Sequence, residues 1–251
     1  MTYRLEEIAS ITGSTLTGRD CRIERVITDS RNPYDPAATL FVAIRGNHHD
    51  GHAFIRSLYA GGVRAFLTDT DIDTAAYPEA GFVRCPDSVA ALQRLATYHR
   101  NRFRGTVVAI TGSNGKTTTT QMLASILLAR WGAERMCATE GNFNNEVGVP
   151  KMLLKLAFEH RGAVIECGMN HRGEMARLAD WTRPTVALLT NAQREHQEFL
   201  RGVEETAREN GLVIAALPAL GARRAPGRSI PPTTHARTSG PTSRSRAAST
   251  S

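Results

Sequence analysis

The residues Ile110-Thr111-Gly112-Ser113-Asn114-Gly115-Lys116-Thr117-Thr118 constrain this chain more than any other segment. They follow an apolar run, Val107 to Thr111, that reads as a buried strand, and they open a long helical pattern from Lys116 to Trp131. Gly112 and Gly115 let the backbone turn tightly and bring amide hydrogens toward phosphate oxygens at a helix N-terminus. Lys116 can reach the outer phosphates of a nucleotide, and the Thr117 hydroxyl can ligate magnesium. The general phosphate loop has a glycine where Ile110 stands, so this is the shorter TGxxGKT variant. By itself the loop leaves ATPase, kinase and ligase chemistry open.

The surroundings of the loop repeat its rhythm. Val164 to Cys167 and Val186 to Thr190 are two further apolar strands with helical stretches between them, an alternation that predicts a parallel sheet with helices on both faces. Ligands of such sheets sit at the carboxyl ends of the strands. Ahead of this region, Leu5, Ile8 and Ala9 have helical spacing, with Gly13 placed to stop the helix. Short strands are expected at 25–28, 40–44, 65–68 and 82–85, and a helix at 52–60. Asp87 or Ser88 can cap a helix running to about Phe103, with Leu92, Leu95, Ala96 and His99 on one face. The fold class expected is α/β: a small N-terminal α/β domain over residues 1–103, then a parallel-sheet domain with the phosphate loop over residues 104–218. Residues 219–251 hold no aromatic side chain and are almost entirely Ala, Arg, Ser, Thr, Pro and Gly, a composition expected to stay disordered.

Charge and cysteine usage narrow the function classes. The formal net charge is +7, but six arginines and no Asp, Glu or Lys lie in 219–251, which leaves +1 on residues 1–218. No basic stripe with interleaved aromatics runs along the chain, so no nucleic-acid partner is expected. Cys21, Cys85, Cys137 and Cys167 form no CxxC pair, so reduced thiols and a cytoplasmic location are expected. No apolar run approaches the ~18 residues of a membrane span.

Four further segments carry polar groups at strand ends. Gly141-Asn142-Phe143-Asn144-Asn145-Glu146-Val147-Gly148-Val149-Pro150 follows a strand from Met136 to Thr139. Its amides can hold a polar ligand, or Asn145 or a neighbour can cap the next helix. Glu166, at the end of an otherwise apolar strand, is either a buried ion-pair partner or a magnesium ligand. Asn191 closes the strand that follows Thr182-Arg183-Pro184, with His196 five residues on. In the first domain, Asp29-Ser30-Arg31 can be a surface turn, or a Ser and an Arg holding a pyrophosphate through the guanidinium fork.

These motifs together resemble the Mur ligases, and the GNFNNEVGVP segment is similar to the MurF type of that family. The resemblance spans roughly residues 3 to 218 and includes Glu166, Gly168, Asn170, His171, Gly173 and Glu174 as an ExGxNHxGE run. It implies an ATP-dependent amide ligase of peptidoglycan precursor synthesis, joining D-alanyl-D-alanine to UDP-N-acetylmuramoyl-tripeptide through an acyl phosphate. ATP and Mg²⁺ are the implied cofactors. Lys116, Glu166 and His196 would be catalytic, and Thr117, Glu166 and His196 the metal ligands. Gly112, Ser113, Asn114, Gly115, Lys116, Thr117, Thr118 and Asn191 would hold the nucleotide. Asp29, Ser30, Arg31, Asn142, Asn144, Asn145 and His171 would hold substrate.

The related folylpolyglutamate synthetase shares the loop but lacks the first domain. Mur ligases commonly carry a carbamylated lysine where Asn210 stands here, which implies either a branch that manages its second metal otherwise, the favoured reading, or an impaired site. Family members continue with the rest of the ATP domain and a third domain. The text after Ala219 therefore reads as a shifted frame or an early end, and a poorly ligating monomer is expected. The alternatives are a nucleotide-binding remnant without catalysis and a Mur ligase that adds a single amino acid.

Overall fold

The computed structural model of the chain describes residues 2–31, 35–46, 49–193 and 202–218. Its first part runs β1 (Tyr3–Arg4), α1 (Leu5–Thr12), β2 (Thr15–Gly18), β3 (Arg22–Ile23), β4 (Arg25–Ile27), β5 (Thr39–Val42), α2 (Ile55–Ala60), β6 (Ala65–Thr68), β7 (Gly81–Arg84) and α3 (Ser88–Arg102). The order β2-β7-β6-β5-β4 makes a five-stranded sheet in which only β2 runs antiparallel to its neighbour. Continuous apolar strands are the signature of burial on both faces. Accordingly Leu40 and Val42 of β5 face a core with Leu5 and Ile8 of α1 and Leu92 and Leu95 of α3. Phe41 and Ala43 face the opposite core with Ile55 and Leu58 of α2.

The second part runs β8 (Thr106–Thr111), α4 (Lys116–Trp131), β9 (Met136–Ala138), α5 (Gly148–Leu154), β10 (Gly162–Glu166), α6 (Glu174–Thr182), β11 (Val186–Leu189) and α7 (Val203–Ala215). Its four strands pair in the order β11-β8-β10-β9, all parallel. Val107, Ala109, Ala163, Ile165 and Cys137 share a core with α5, α6 and α3, whereas α4 packs on the other side, over β8, β10 and β9. The predicted α/β class and the helices on both faces are found. The expected helix at 52–60 begins as a 3₁₀ turn, Gly51–Phe54, in which the Asp50 carboxylate accepts from the His52 amide at 3.0 Å. The short strands β1, β2 and β3 were not anticipated. They are two to four residues long, too short for an apolar alternation to stand out, and they pair with segments distant in the chain.

Helix α3 joins the two sheets. Asp87 caps it, its carboxylate accepting from the amides of Val89 and Ala90 at 2.8 and 2.9 Å. Its C-terminal end carries two cross-links. Nε of Arg100 donates to the Thr182 carbonyl at 2.7 Å and Nη2 to that of Arg183 at 2.6 Å, closing the end of α6. His99 lies between Tyr3 Oη, 2.9 Å from Nδ1, and the Leu156 carbonyl, 2.7 Å from Nε2. A carbonyl can only accept, so Nε2 carries the proton and Nδ1 accepts from the tyrosine. The four cysteines are free, and burial pushes Cys167 up to about 12 and Cys137 to about 11. Among the described residues no helix is long and apolar enough to cross a membrane.

Both cross-links are testable. Arg100→Leu leaves the last carbonyls of α6 without donors and should lower the unfolding free energy by about 2–4 kcal/mol in urea titrations. Burial also pushes the His99 pKa below its ordinary value. The folded state then holds fewer protons than the unfolded chain, so stability is complete above the unfolded pKa of about 6.5 and falls as the pH drops below it. Urea midpoints measured from pH 7.5 to 5 should show that decline, and His99→Gln should flatten it.

Candidate functional site at the carboxyl ends of the second sheet

β8 and β10 pair in parallel with Glu166 opposite Ile110, so Glu166 and the loop that leaves β8 lie at the same sheet end. Gly112 has φ 130° and Gly115 φ 78°, both in the region that side chains avoid. Gly112 is also packed: a β-carbon there would lie 2.2 Å from Thr190 Oγ1 and 2.8 Å from the Asn191 carbonyl oxygen.

The exit of β11 straps the loop in place. The Ser113 amide donates to the Asn191 carbonyl at 3.0 Å, and the Asn114 amide to Asn191 Oδ1 at 3.0 Å. Asn191 Nδ2 returns a bond to the Asn114 carbonyl at 3.1 Å, and Asn114 Nδ2 donates to Gln193 Oε1 at 2.8 Å. Lys116, at the first turn of α4, donates from Nζ to the Gly112 and Ser113 carbonyls at 2.5 and 3.1 Å. Thr118 lies exposed one residue past Thr117 on the same turn.

Glu166 is buried at the mouth of this loop, with 1% of its surface exposed. Oε1 accepts from Asn144 Nδ2 at 2.7 Å and from Thr117 Oγ1 at 3.3 Å. Its own amide donates to Thr139 Oγ1 at 2.8 Å. Oε2 is buried with no hydrogen-bond partner, and among the described residues no cationic side chain pairs with the carboxylate. A buried charge without a counter-charge costs several kcal/mol. A hard divalent cation beside Oε2 and the Thr117 hydroxyl would offset that cost, and both atoms are the oxygen donors such a cation takes. Of the two readings left open by the sequence, the ion-pair one finds no partner among the described residues. The described residues contain no group of three or more His, Cys, Asp or Glu that could hold a metal by themselves. A cation here would need ligand oxygens from a phosphate as well.

The other predicted residues divide by role. Asn145 caps α5, its Oδ1 accepting from the Val147 and Gly148 amides at 3.2 and 2.8 Å. Asn142 is exposed at the rim. His171 is exposed too, its Nδ1 2.9 Å from Glu174 Oε1. Asp29, Ser30 and Arg31 leave β4 on the side of α5. Arg31 closes on Asp29, with Nη2 2.6 Å from Oδ2, and that hydrogen bond holds the Asp29 carboxyl down at about 2. Lys151 of α5 lies near enough for the Asp29 charge to act on it, and its Nζ sits 4.0 Å from the Phe143 ring centroid. His196 lies outside the described residues. Asn210 is fully buried, accepting from Thr111 Oγ1 at 2.5 Å and donating to the Thr206 carbonyl at 3.0 Å, so it ties α7 to the end of β8.

Sequence reasoning missed Thr139, Thr190 and Gln193. The first two are polar residues at the exits of apolar strands, the same signal that marks Glu166. Gln193 carries no local signal, since its contact spans 79 residues.

Comparison with known proteins agrees with this arrangement. The profile described as Mur ligase middle domain matches residues 110–222, and that of the Mur ligase family, catalytic domain, matches residues 22–100. The UDP-N-acetylmuramoyl-tripeptide--D-alanyl-D-alanine ligase of Synechocystis sp. is 38% identical over 72% of this chain and 39% of its own length. That of Escherichia coli is 36% identical over 85% of this chain and 45% of its own. Among solved structures, MurF from Acinetobacter baumannii superposes with TM-score 0.77 at 31% identity, covering 87% of this chain and 47% of that one. MurF from Thermotoga maritima in complex with ADP gives TM-score 0.66 at 30% identity, over 77% of this chain and 43% of that one. The chain thus spans less than half the length of these relatives. On two matched profiles, a shared fold and the loop geometry above, the chain belongs to the Mur ligase family.

Proposed function

We propose that this chain is the UDP-sugar- and ATP-binding part of an ATP-dependent amide ligase that joins D-alanyl-D-alanine to UDP-N-acetylmuramoyl-tripeptide in peptidoglycan precursor synthesis. The observation that carries this reading is the buried Glu166 carboxylate, held through one oxygen and unpartnered at the other, beside Thr117 and the phosphate loop. In this reading residues 1–103 bind the UDP-sugar and residues 104–218 the nucleotide, and the protein acts as a cytoplasmic monomer.

The amides of Gly112 to Thr118 and the Lys116 ammonium take the β- and γ-phosphates, with Asn191 near the base. Thr117 and Glu166 hold Mg²⁺, together with His196. Mg²⁺ supplies charge neutralisation on the phosphates. Asp29, Ser30 and Arg31 take the pyrophosphate of the UDP-sugar, and Asn142, Asn145 and His171 line the path of the peptide. Asn144 acts through Glu166, whose Oε1 it holds. The tripeptide carboxylate attacks the γ-phosphorus and ADP leaves, giving an acyl phosphate. The dipeptide amine then attacks the acyl carbon, loses a proton and expels phosphate. Catalysis in such a site is positioning and electrostatic stabilisation.

A second reading, a nucleotide-binding unit without turnover, is favoured by Asn210. Its amide is buried and bonded on both sides, and an amide cannot be carbamylated.

Titration calorimetry with ATP, with and without Mg²⁺, and phosphate release in the presence of both substrates separate the two readings. For the ligase, Lys116→Ala should lower phosphate release by more than ~10²-fold. Glu166→Gln should abolish the enhancement of ATP binding by Mg²⁺, because a neutral amide no longer attracts the cation. Wild-type turnover in Lys116→Ala would remove the assignment, and ATP binding with no phosphate release by the parent chain would favour the second reading.

A further inference from the structure

A cavity of about 180 Å³ opens at the seam between the two sheets, beside the amino ends of β8 and β10. Phe103 of its wall precedes β8, and Leu156 to Glu159 precede β10. The phosphate loop and Glu166 stand at the other end of those strands, and β10 alone puts about 13 Å between Gly162 and Glu166. The cavity is therefore separate from the candidate site.

Its walls are held firmly. Tyr3 Oη, the His99 ring and the Leu156 carbonyl form the hydrogen-bonded chain that joins β1, α3 and the segment after α5. Tyr3, Phe103 and Leu156 are buried and give an apolar lining. Phe158 stands at the rim, on a turn in which the His160 amide donates to the Ala157 carbonyl, and 81% of its surface is exposed.

Two opposite charges line the same cavity without pairing with each other. The Arg102 guanidinium lies 6.0 Å from the Tyr3 ring centroid and 5.7 Å from that of Tyr98, and its Nη1 donates to Tyr98 Oη at 3.3 Å. Among the described residues no carboxylate lies within ion-pairing distance of it, and the Glu7 charge acts on it only from farther away. Glu159 likewise has no cationic side chain within that distance among the described residues. A simple carboxylate would suit Arg102 and be repelled by Glu159, and a simple amine the reverse. A molecule with a carboxylate and an ammonium on one carbon suits both. An apolar cavity of about 150 Å³ accepts a benzene ring, so the space here takes one ring or branched chain beside that carbon.

We propose that this cavity binds a free α-amino acid with an aromatic or large apolar side chain. Its carboxylate meets Arg102, its ammonium meets Glu159, and its side chain lies among Tyr3, Phe103, Leu156 and Phe158. The bound molecule ties α3 to the turn that leads into β10, the strand that ends at Glu166. The inference stands on the cavity and is independent of whether the chain binds or turns over ATP.

NMR titration of the isotope-labelled 251-residue chain with L-phenylalanine tests it. Saturable shifts should centre on the amides of Phe103 and residues 157–160, with a Kd of about 1 mM or below for a ligand of about 12 heavy atoms. 3-Phenylpropionate and 2-phenylethylamine, which each lack one of the two charges, should bind about fivefold more weakly or worse. Arg102→Gln and Glu159→Gln should each weaken L-phenylalanine by a similar factor. ATP affinity, which reports on the proposed function, should be equal in both variants and the parent, so the two readings fail separately. No saturable shift with L-phenylalanine, equal binding of the three probes, or parental affinity in both variants would each overturn the proposal.

Discussion

Glu166 is the group on which the arrangement at the sheet end depends. A carboxylate removed from water is tolerated only where hydrogen-bond donors and positive charge surround it. Here two donors from separate elements reach the carboxylate, the Asn144 side chain before α5 and the Thr117 hydroxyl in the first turn of α4, while the Glu166 amide itself donates to Thr139 Oγ1 at the exit of β9. Each fixes its own element relative to β10, so the charged group organises the site as well as serving it. Its second oxygen is buried beside the glycine turns of the loop, with no hydrogen-bond partner among the described residues.

The loop itself is kept in shape by contacts outside its own sequence. Asn191 receives and returns hydrogen bonds to the Asn114 backbone, and Thr190 Oγ1 donates to the Asn114 carbonyl at 2.7 Å. Gly112 has no room for a side chain because Thr190 and Asn191, which leave β11, pack against it. The positive φ values, which glycine adopts without strain, are thus held in place by the residues that leave a neighbouring strand. Asn210 supports the strand from below through Thr111, so α7 contributes to the site without touching it.

The relation between the two sheets follows from α3. Its apolar face is shared by one continuous core that reaches from Leu40 and Leu67 of the first sheet to Ala109 and Ile165 of the second. Arg100 and His99 then fix its end to α6 and to the segment after α5. This places the Asp29–Arg31 loop on the side of Lys151 and Phe143.

The strand, loop and helix from Val107 to Trp131, the cap at Asp87 and the stop at Gly13 were legible in the sequence. Each depends on residues within a turn or two, through the apolar period, φ preference and side-chain caps. The candidate site was legible as residue types at strand ends, including Glu166 and Asn191. Their partnerships were not. Whether Glu166 would meet an arginine or an asparagine depended on the register of β10 against β8 and on the path of the 141–148 loop, both set by contacts between distant segments. The cavity beside Arg102 was equally hidden, because its walls come from β1, α3 and the segment after α5, which are distant in sequence. Local chemistry therefore determined the elements and the likeness to a family, while the three-dimensional pairing decided what each polar group holds and where a cavity is left between elements.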